Sequence, residues 1–390
     1  MSDNMKQHVI PLSEPVISGN EWKYIKECLD STWVSSVGSY VTRFEKMVSD
    51  YVGTKHAVAV VNGTSAIHIS LLASGVCPDD EVIVPALTFI APVNAVKYCN
   101  SHPVFMDCDD ETLCMDVQKV VEFISRECKQ KKDGRTYNKK TGRRISAILP
   151  VHIFGHPVDM NDLVGISRKY NISIIEDATE SLGSEYRGRK TGSFGSLGCF
   201  SFNGNKIITT GGGGMVVSNN KKLADRVRHL TTQANKKAFE YYHDEIGYNY
   251  RLTNLQAAMG VAQMERLGEF IEIKRRNAAI YRELLSPVEG VEMLWEKSWA
   301  RSNFWLCTIK VPQRHKSRLM KFLLSKEIRI RPVWKLINTL PMYKACQSYS
   351  VEKAVDAHGS CINLPCGVGI KQADIKFVAE NIKEYFKRRG

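Results

Sequence analysis

No Cys-x-x-Cys pair occurs in this chain, although it carries eleven cysteines. They are scattered through apolar runs, as at Cys199, Cys307 and Cys361, and their number is odd. They read as reduced, buried thiols rather than as a disulfide framework, and no zinc site or other metal centre is expected. No apolar run approaches the roughly 18 residues that a membrane span needs. Residues 1–11 are polar and lack the apolar centre of a secretory signal, so a cytoplasmic protein without a membrane partner is expected. No Gly-Lys-Ser/Thr closes a P-loop, and no spaced Gly-x-Gly-x-x-Gly is present. No helix-turn-helix, zinc-finger or aromatic-basic motif accompanies the net charge of +13, so nucleic acid is not an expected partner.

What is present is ordinary for a soluble globular enzyme: 43% apolar and 24% charged residues in a chain of 390. That length exceeds one simple core, and two parts are expected, a large one over residues 12–270 and a small C-terminal one over 271–390. The positive charge is unevenly spread. Residues 129–144 hold eight Lys/Arg against one acid, with Gly134 and Gly142 and no apolar periodicity, which predicts a solvated loop. Anionic small substrates are one use for such a charge balance.

Strand and helix patterns alternate along the first two-thirds. Short apolar, β-branched runs at 56–61, 81–84, 103–107, 146–151 and 172–175 read as strands. Helical patterns lie between them at 66–73, 91–98, 117–126 and 160–170. An initial helix carries Trp22, Ile25 and Leu29 on one stripe, and a second covers 44–51. The alternation predicts an α/β fold with a mostly parallel sheet, whose ligands sit at the C-terminal strand ends. Polar turns at 62–65, 88–89, 152–155 and 177–180 follow four such ends and converge on one rim. Further on, 215–218 is a strand and 223–230 a helix. Thr253 or Asn254 caps a long helix over about 255–285. The smaller α/β region then has strands at 305–311 and 328–332 and helices at 316–325 and 372–386.

Three stretches carry chemistry. The run Ile172-Ser173-Ile174-Ile175-Glu176-Asp177 delivers an acidic pair to a strand end, and either acid could simply cap the next turn. A second run, 200–202, leads to Lys206, with Ser201 before it and Gly211 to Gly214 after it. Hydroxyl and amide donors grouped near an ammonium make an anion pocket, and glycine lets backbone pass close. Asn62-Gly63-Thr64-Ser65 opens a helix whose free amides suit a phosphate, though an ordinary cap would look the same. Pyridoxal phosphate (PLP) needs a lysine for a Schiff base and an acid to hold its pyridine nitrogen protonated, and Lys206 with Asp177 would supply both. The glycines then allow tight passage of backbone behind the lysine.

From Pro11 to about Pro365 the chain resembles the DegT-type PLP-dependent sugar aminotransferases, which share the aspartate aminotransferase fold. The resemblance rests on Asn62-Gly63-Thr64-Ser65-Ala66, Thr88-Phe89, Pro150-Val151-His152-Ile153-Phe154-Gly155 and Glu176-Asp177-Ala178. Ser201-Phe202-Asn203-Gly204-Asn205-Lys206, Gly247-Tyr248-Asn249-Tyr250-Arg251-Leu252 and Leu364-Pro365 extend it. Ile207-Ile208-Thr209-Thr210 after the lysine, and Ile330-Arg331-Pro332-Val333-Trp334-Lys335, resemble the branch that aminates UDP-linked 4-keto-6-deoxy-N-acetyl sugars.

The resemblance implies a role for each matching position. Lys206 would be the Schiff-base lysine and Asp177 the partner of the pyridine nitrogen. Phe89 would stack on the cofactor ring, and Thr64, Ser65 and Ser201 would hold its phosphate. Asn249 lies in a loop that, in such dimers, reaches the neighbouring subunit's site, so a homodimer is implied. Glu180 stands where many relatives have Gln beside the cofactor's phenolic oxygen. Arg331 and Trp334 would meet the nucleotide sugar or the donor's carboxylate, against simple packing in the small part. The implied reaction moves an amino group from glutamate to a nucleotide-linked keto sugar. A PLP-dependent sugar dehydratase on the same fold generally carries His in place of the lysine, and a non-catalytic PLP-binding regulator would not need to keep both Lys206 and Asp177.

Overall fold

A computed structural model gives the fold and describes residues 8–388. Residues 1–7, the greater part of the polar N-terminal stretch, lie outside the described residues. The central sheet has eight strands. In spatial order they are His56–Val60, Gly214–Ser218, Leu197–Ser201, Ser173–Asp177, Ile145–Ile148, Glu81–Pro85, His102–Met106 and Ser348–Tyr349. From Leu197–Ser201 onward every pairing is parallel; Gly214–Ser218 alone runs against its two neighbours. The mostly parallel sheet expected from the alternation is therefore present, with one reversed strand inserted near its edge.

Side-chain alternation explains why both faces are covered. Ala57, Ala59, Phe200, Met215 and Val217 face a core shared with the Ser39–Val52 helix and the long Asn254–Leu285 helix. Val58, Val60, Cys199 and Val216 point the other way into the main core, which extends into the C-terminal sheet. Period-two alternation with apolar residues on both sides is what a strand buried on two faces requires. The Asn254–Leu285 helix begins with a capping box between Thr253 and Gln256. It runs unbroken through residue 270.

The C-terminal part is a four-stranded antiparallel sheet, Glu292–Met293, Cys307–Lys310, Cys361–Leu364 and Arg331–Pro332, backed by the Gln313–Ser325 and Gln372–Lys387 helices. It reaches back to the N-terminal segment. Ile10 N donates to Glu327 O (3.0 Å), Arg329 N to Ile10 O (2.9 Å) and Cys366 N to Leu12 O (2.9 Å). Residues 10–14 are thereby laid beside residues 329–335.

Three expectations change. Residues 129–144 are not a plain loop: Cys128–Gln130 and Thr136–Asn138 pair as an antiparallel hairpin. The hairpin buries Cys128, Thr136 and Asn138 while Lys129 and Gln130 stay exposed, so strands of three residues anchored by polar side chains carry no apolar periodicity to read. The strand expected over 328–332 shrinks to Arg331–Pro332, because Ile328 instead bridges to Ile10. The stripe on the Glu21–Asp30 helix does not face the core of its own chain, since Trp22 is 79% and Leu29 54% exposed. The eleven cysteines are all free: nine are buried, Cys346 is half-buried and Cys77 is exposed.

Candidate active site

Three of the four polar turns expected at C-terminal strand ends, 62–65, 88–89 and 177–180, open into one cavity of about 990 Å³, whereas the fourth, 152–155, is buried and only Val151 before it reaches the cavity. Asn62, Gly63 and Thr64 come from the end of His56–Val60, and Thr88 and Phe89 from the end of Glu81–Pro85. Val151 follows Ile145–Ile148; Asp177, Thr179 and Glu180 follow Ser173–Asp177; Ser201 and Lys206 follow Leu197–Ser201. The C-terminal part supplies the opposite wall, with Trp305, Arg329, Arg331, Trp334, Lys335 and His358.

The two acids at the end of the Ser173–Asp177 strand have different fates, because successive side chains in a strand point to opposite faces. Glu176 is fully buried and accepts four hydrogen bonds: Gly192 N (2.8 Å), Phe194 N (2.6 Å), Gly195 N (2.6 Å) and His152 Nε2 (3.0 Å). His152 Nδ1 accepts from Val158 N (3.0 Å), so the ring proton must sit on Nε2 and be donated to Glu176. Glu176 is a structural acceptor. Asp177, equally buried, accepts from Thr179, its backbone N at 3.1 Å, and faces the cavity. Burial raises its carboxyl above the usual range, against the pull of the Thr179 donors and Lys206. It is the acid with capacity to spare.

Lys206 sits 4.1 Å from the centre of the Trp305 ring and 3.5 Å from Glu180 Oε1. The indole Nε1 of Trp305 donates to Asn205 O (2.8 Å), which fixes the ring beneath the ammonium. Phe154 stacks on Trp334 with centroids 4.8 Å apart, and Phe89 stands 6.0 Å from Trp334. Phe89 is half exposed although large and apolar, an unusual state for a ring on a cavity wall unless a second flat group covers it.

The opening of the Gly63–Ala73 helix is pressed against the neighbouring strands. A Cβ on Gly63 would lie 2.8 Å from Ser201 Cβ, and one on Gly214 would lie 2.4 Å from Asn62 O. Only glycine lets the turn close this far. Asn62 Oδ1 accepts Ser65 N (2.7 Å) and Asn62 O accepts Ala66 N (3.0 Å), which leaves the first amides of the helix directed at the cavity. Thr88 Oγ1 is buried on the same wall with no hydrogen-bond partner.

These features fit pyridoxal phosphate. An open helix end with Thr64 and Ser201 could take the phosphate, the unpartnered Thr88 hydroxyl and Asp177 could meet polar ring atoms, and Phe89 could cover the ring. Lys206 is the only lysine on the strand-end side of the cavity among the described residues.

Of the ten site residues expected from the sequence, Thr64, Phe89, Asp177, Glu180, Ser201, Lys206, Arg331 and Trp334 line the cavity. Ser65 does not: its amide is spent on Asn62, and it is buried behind the helix's first turn. Asn249 is exposed, bridges to Thr232 and does not line the cavity of its own chain. Sequence reasoning missed Thr88, Trp305, Arg329, Lys335 and His358. Thr88 had a signal, its position beside Phe89; the others had none before the C-terminal sheet was folded against the first. Among the described residues one group of metal-type side chains lies outside the cavity: His229, Asp244 and Glu245. Its acids are already paired with Lys236 and Arg226.

Comparison with known proteins agrees with the geometry. Residues 15–383 match the model of the DegT/DnrJ/EryC1/StrS aminotransferase family. The chain is 39% identical over 379 residues to the GDP-perosamine synthase of Escherichia coli O157:H7, covering 97% of this chain and 98% of that protein. It is 38% identical to the GDP-perosamine synthase of Vibrio cholerae, covering 97% and 99%. Among solved structures, a DegT DnrJ EryC1 StrS aminotransferase from Brucella abortus superposes with a TM-score of 0.86 at 26% identity, over 94% of this chain and 95% of that one. The chain belongs to the DegT/DnrJ/EryC1/StrS aminotransferase family and is a PLP-dependent nucleotide-sugar aminotransferase.

Proposed function

We propose that the protein aminates a keto sugar linked to GDP, with glutamate as the amino donor, in the biosynthesis of a surface glycan. What carries the choice of nucleotide is the full-length similarity to GDP-perosamine synthases. The UDP-linked N-acetyl sugar suggested by the local signatures around Lys206 and Arg331 becomes the second reading. Bound in the cavity, PLP supplies an aldehyde that carries the amino group and a ring that draws electrons from the reacting carbon.

The chain's own residues do the rest. Lys206 would hold the cofactor through its aldehyde carbon and, as a free amine, would move the proton at the substrate carbon as base and then acid. Asp177 would keep the pyridine nitrogen protonated, and Phe89 would cover the ring. Thr64 and Ser201, with the open helix end, would hold the phosphate. Among the described residues neither Arg331 nor Lys335 has a carboxylate partner, which leaves both cations free for the substrate's diphosphate. Trp334 then serves as an apolar wall for the sugar.

The reading includes a homodimer. The exposed Trp22, Leu29, Trp33 and Val37 form an apolar surface of the kind that an interface covers, and Asn249 is free to serve a neighbouring site. It also includes the division at residue 270 and a cytoplasmic location; among the described residues no helix is long and apolar enough to cross a membrane.

The test is a two-step assay on the purified protein with PLP. Glutamate alone should convert the cofactor's visible absorbance to that of its amine form. Mass spectrometry should then detect an amino sugar from GDP-linked keto sugars in preference to UDP-linked ones. A protein that turns over only the UDP-linked panel would move the assignment to the second reading, and one whose absorbance ignores glutamate would end both.

A further inference from the structure

Glu180 is a carboxylic acid buried to 5% exposure in direct reach of the reactive lysine. Its Oε2 accepts Phe154 N (2.8 Å), a bond that fixes the side chain's direction, while Oε1 points to Lys206 Nζ at 3.5 Å. Few other charges compete there. Asp177 is the nearest second acid. Cys114, buried behind it, is kept a neutral thiol by desolvation, and His156 beside that thiol is lowered to about 4, hence neutral, by burial. His152 is committed to Glu176.

We propose that Glu180 is the proton partner of Lys206, taking a proton from the released ammonium and returning it later in the cycle. The balance is simple: Lys206–NH3+ and Glu180–COO− become Lys206–NH2 and Glu180–COOH. No electrons move and no further reactant is needed. A lysine must be neutral to act as a base, and an amide at position 180 could hold the same place but could not accept its proton. Burial raises the Glu180 carboxyl to about 7, opposed chiefly by Lys206, so that it can exchange a proton near neutral pH. The proposal rests on the PLP reading above and adds a role for this chain's carboxyl.

The experiment compares the PLP-loaded wild type with Glu180→Gln, which keeps an oxygen for Phe154 N. The readout is the equilibrium pH titration of the visible absorbance of the lysine-bound cofactor, without substrate. Loss of a carboxylate beside the protonated nitrogen should lower the midpoint by about 1–3 pH units. The rate of the glutamate half-reaction should lose the acid limb of its pH profile in the variant. In the wild type, the infrared difference between about pH 6 and about pH 9 should include loss of a protonated-carboxyl band that the variant lacks. This second measurement stands even if the variant binds PLP poorly. An unchanged midpoint in the variant, or no carboxyl band in the wild type, would overturn the role of Glu180 while leaving the PLP reading intact. If the wild type shows no lysine-bound cofactor at all, both fall.

Discussion

Replacing Glu176 should destabilise the protein more than replacing the acid next to it, and the size of the effect can be worked from its partners. Glu176→Ala leaves three backbone N–H groups and the His152 Nε2–H without acceptors in a fully buried space. At about 1–3 kcal/mol for each stranded donor, the loss is at least about 4 kcal/mol. A domain holds about 5–15 kcal/mol in total, so the variant should be largely unfolded or insoluble. Glu176→Gln is the more informative change. Its carbonyl oxygen can still serve Phe194 and Gly195, but its NH2 would face two donors, Gly192 N and His152 Nε2. His152 cannot escape by moving its proton, because Nδ1 is held as an acceptor by Val158 N. Two stranded donors predict a loss of about 2–6 kcal/mol, read as a lower urea midpoint at unchanged slope. The damage should spread to the site, because a Cβ at Gly198 would strike Gly192 O at 2.1 Å; the turn lies directly on the strand that ends in Ser201. A Glu176→Gln variant within about 0.5 kcal/mol of wild type would refute the reasoning.

Other expectations follow from the same geometry. Lys206→Ala should bind PLP without the absorbance of the lysine-bound cofactor, measured by a visible spectrum. Asp177→Asn should unfold like the wild type in urea yet turn over at least about 100-fold more slowly, since it leaves the packing and removes the charge that holds the ring protonated. Arg331→Ala should raise KM for the nucleotide sugar by about 10-fold or more while the glutamate half-reaction keeps its rate, as expected for loss of one charge-assisted contact to phosphate. The raised carboxyl of Glu180 also has a linkage consequence in the cofactor-free protein. Between 4.5 and about 7 the folded state keeps a proton that the unfolded state has shed, so stability should decline as pH rises through this window. Urea midpoints across that range should fall in the wild type and fall less in Glu180→Gln.

Much of this site was legible because it is built from strand ends. A period-two apolar run announces a strand, the polar turn after it announces the rim, and the parallel sheet gathers such turns at one edge. Asp177, Lys206, Thr64 and Ser201 were found that way. The choice between Glu176 and Asp177 was not, because both sit on the same strand and only the turn at 192–195 decides which face is already satisfied. The wall opposite was also unreadable. Trp305 lies beneath Lys206 from a position 100 residues beyond Asn205, and Arg329 reaches the cavity because Ile10 clips that segment in place. No local pattern encodes either approach.

The exposed stripe on the Glu21–Asp30 helix failed for a different reason. Helical periodicity reports that a face will be covered, not by what. Trp22 and Leu29 are patterned like core residues and face water in one chain, while Tyr24 of the same helix has its hydroxyl bonded to Glu265 (2.8 Å) on the long helix. A helix that offers a polar face inward and an apolar face outward is stable in isolation only at a cost in exposed apolar area, at about 25 cal/mol per Å². Covering that face with a second copy would remove the cost, and it would do so at the end of the molecule where Asn254 ties Trp33 O and Tyr40 N to the start of the long helix, just after the Asn249 loop. The exposed stripe and the loop absent from its own cavity would then both be accounted for by the second subunit of the proposed homodimer.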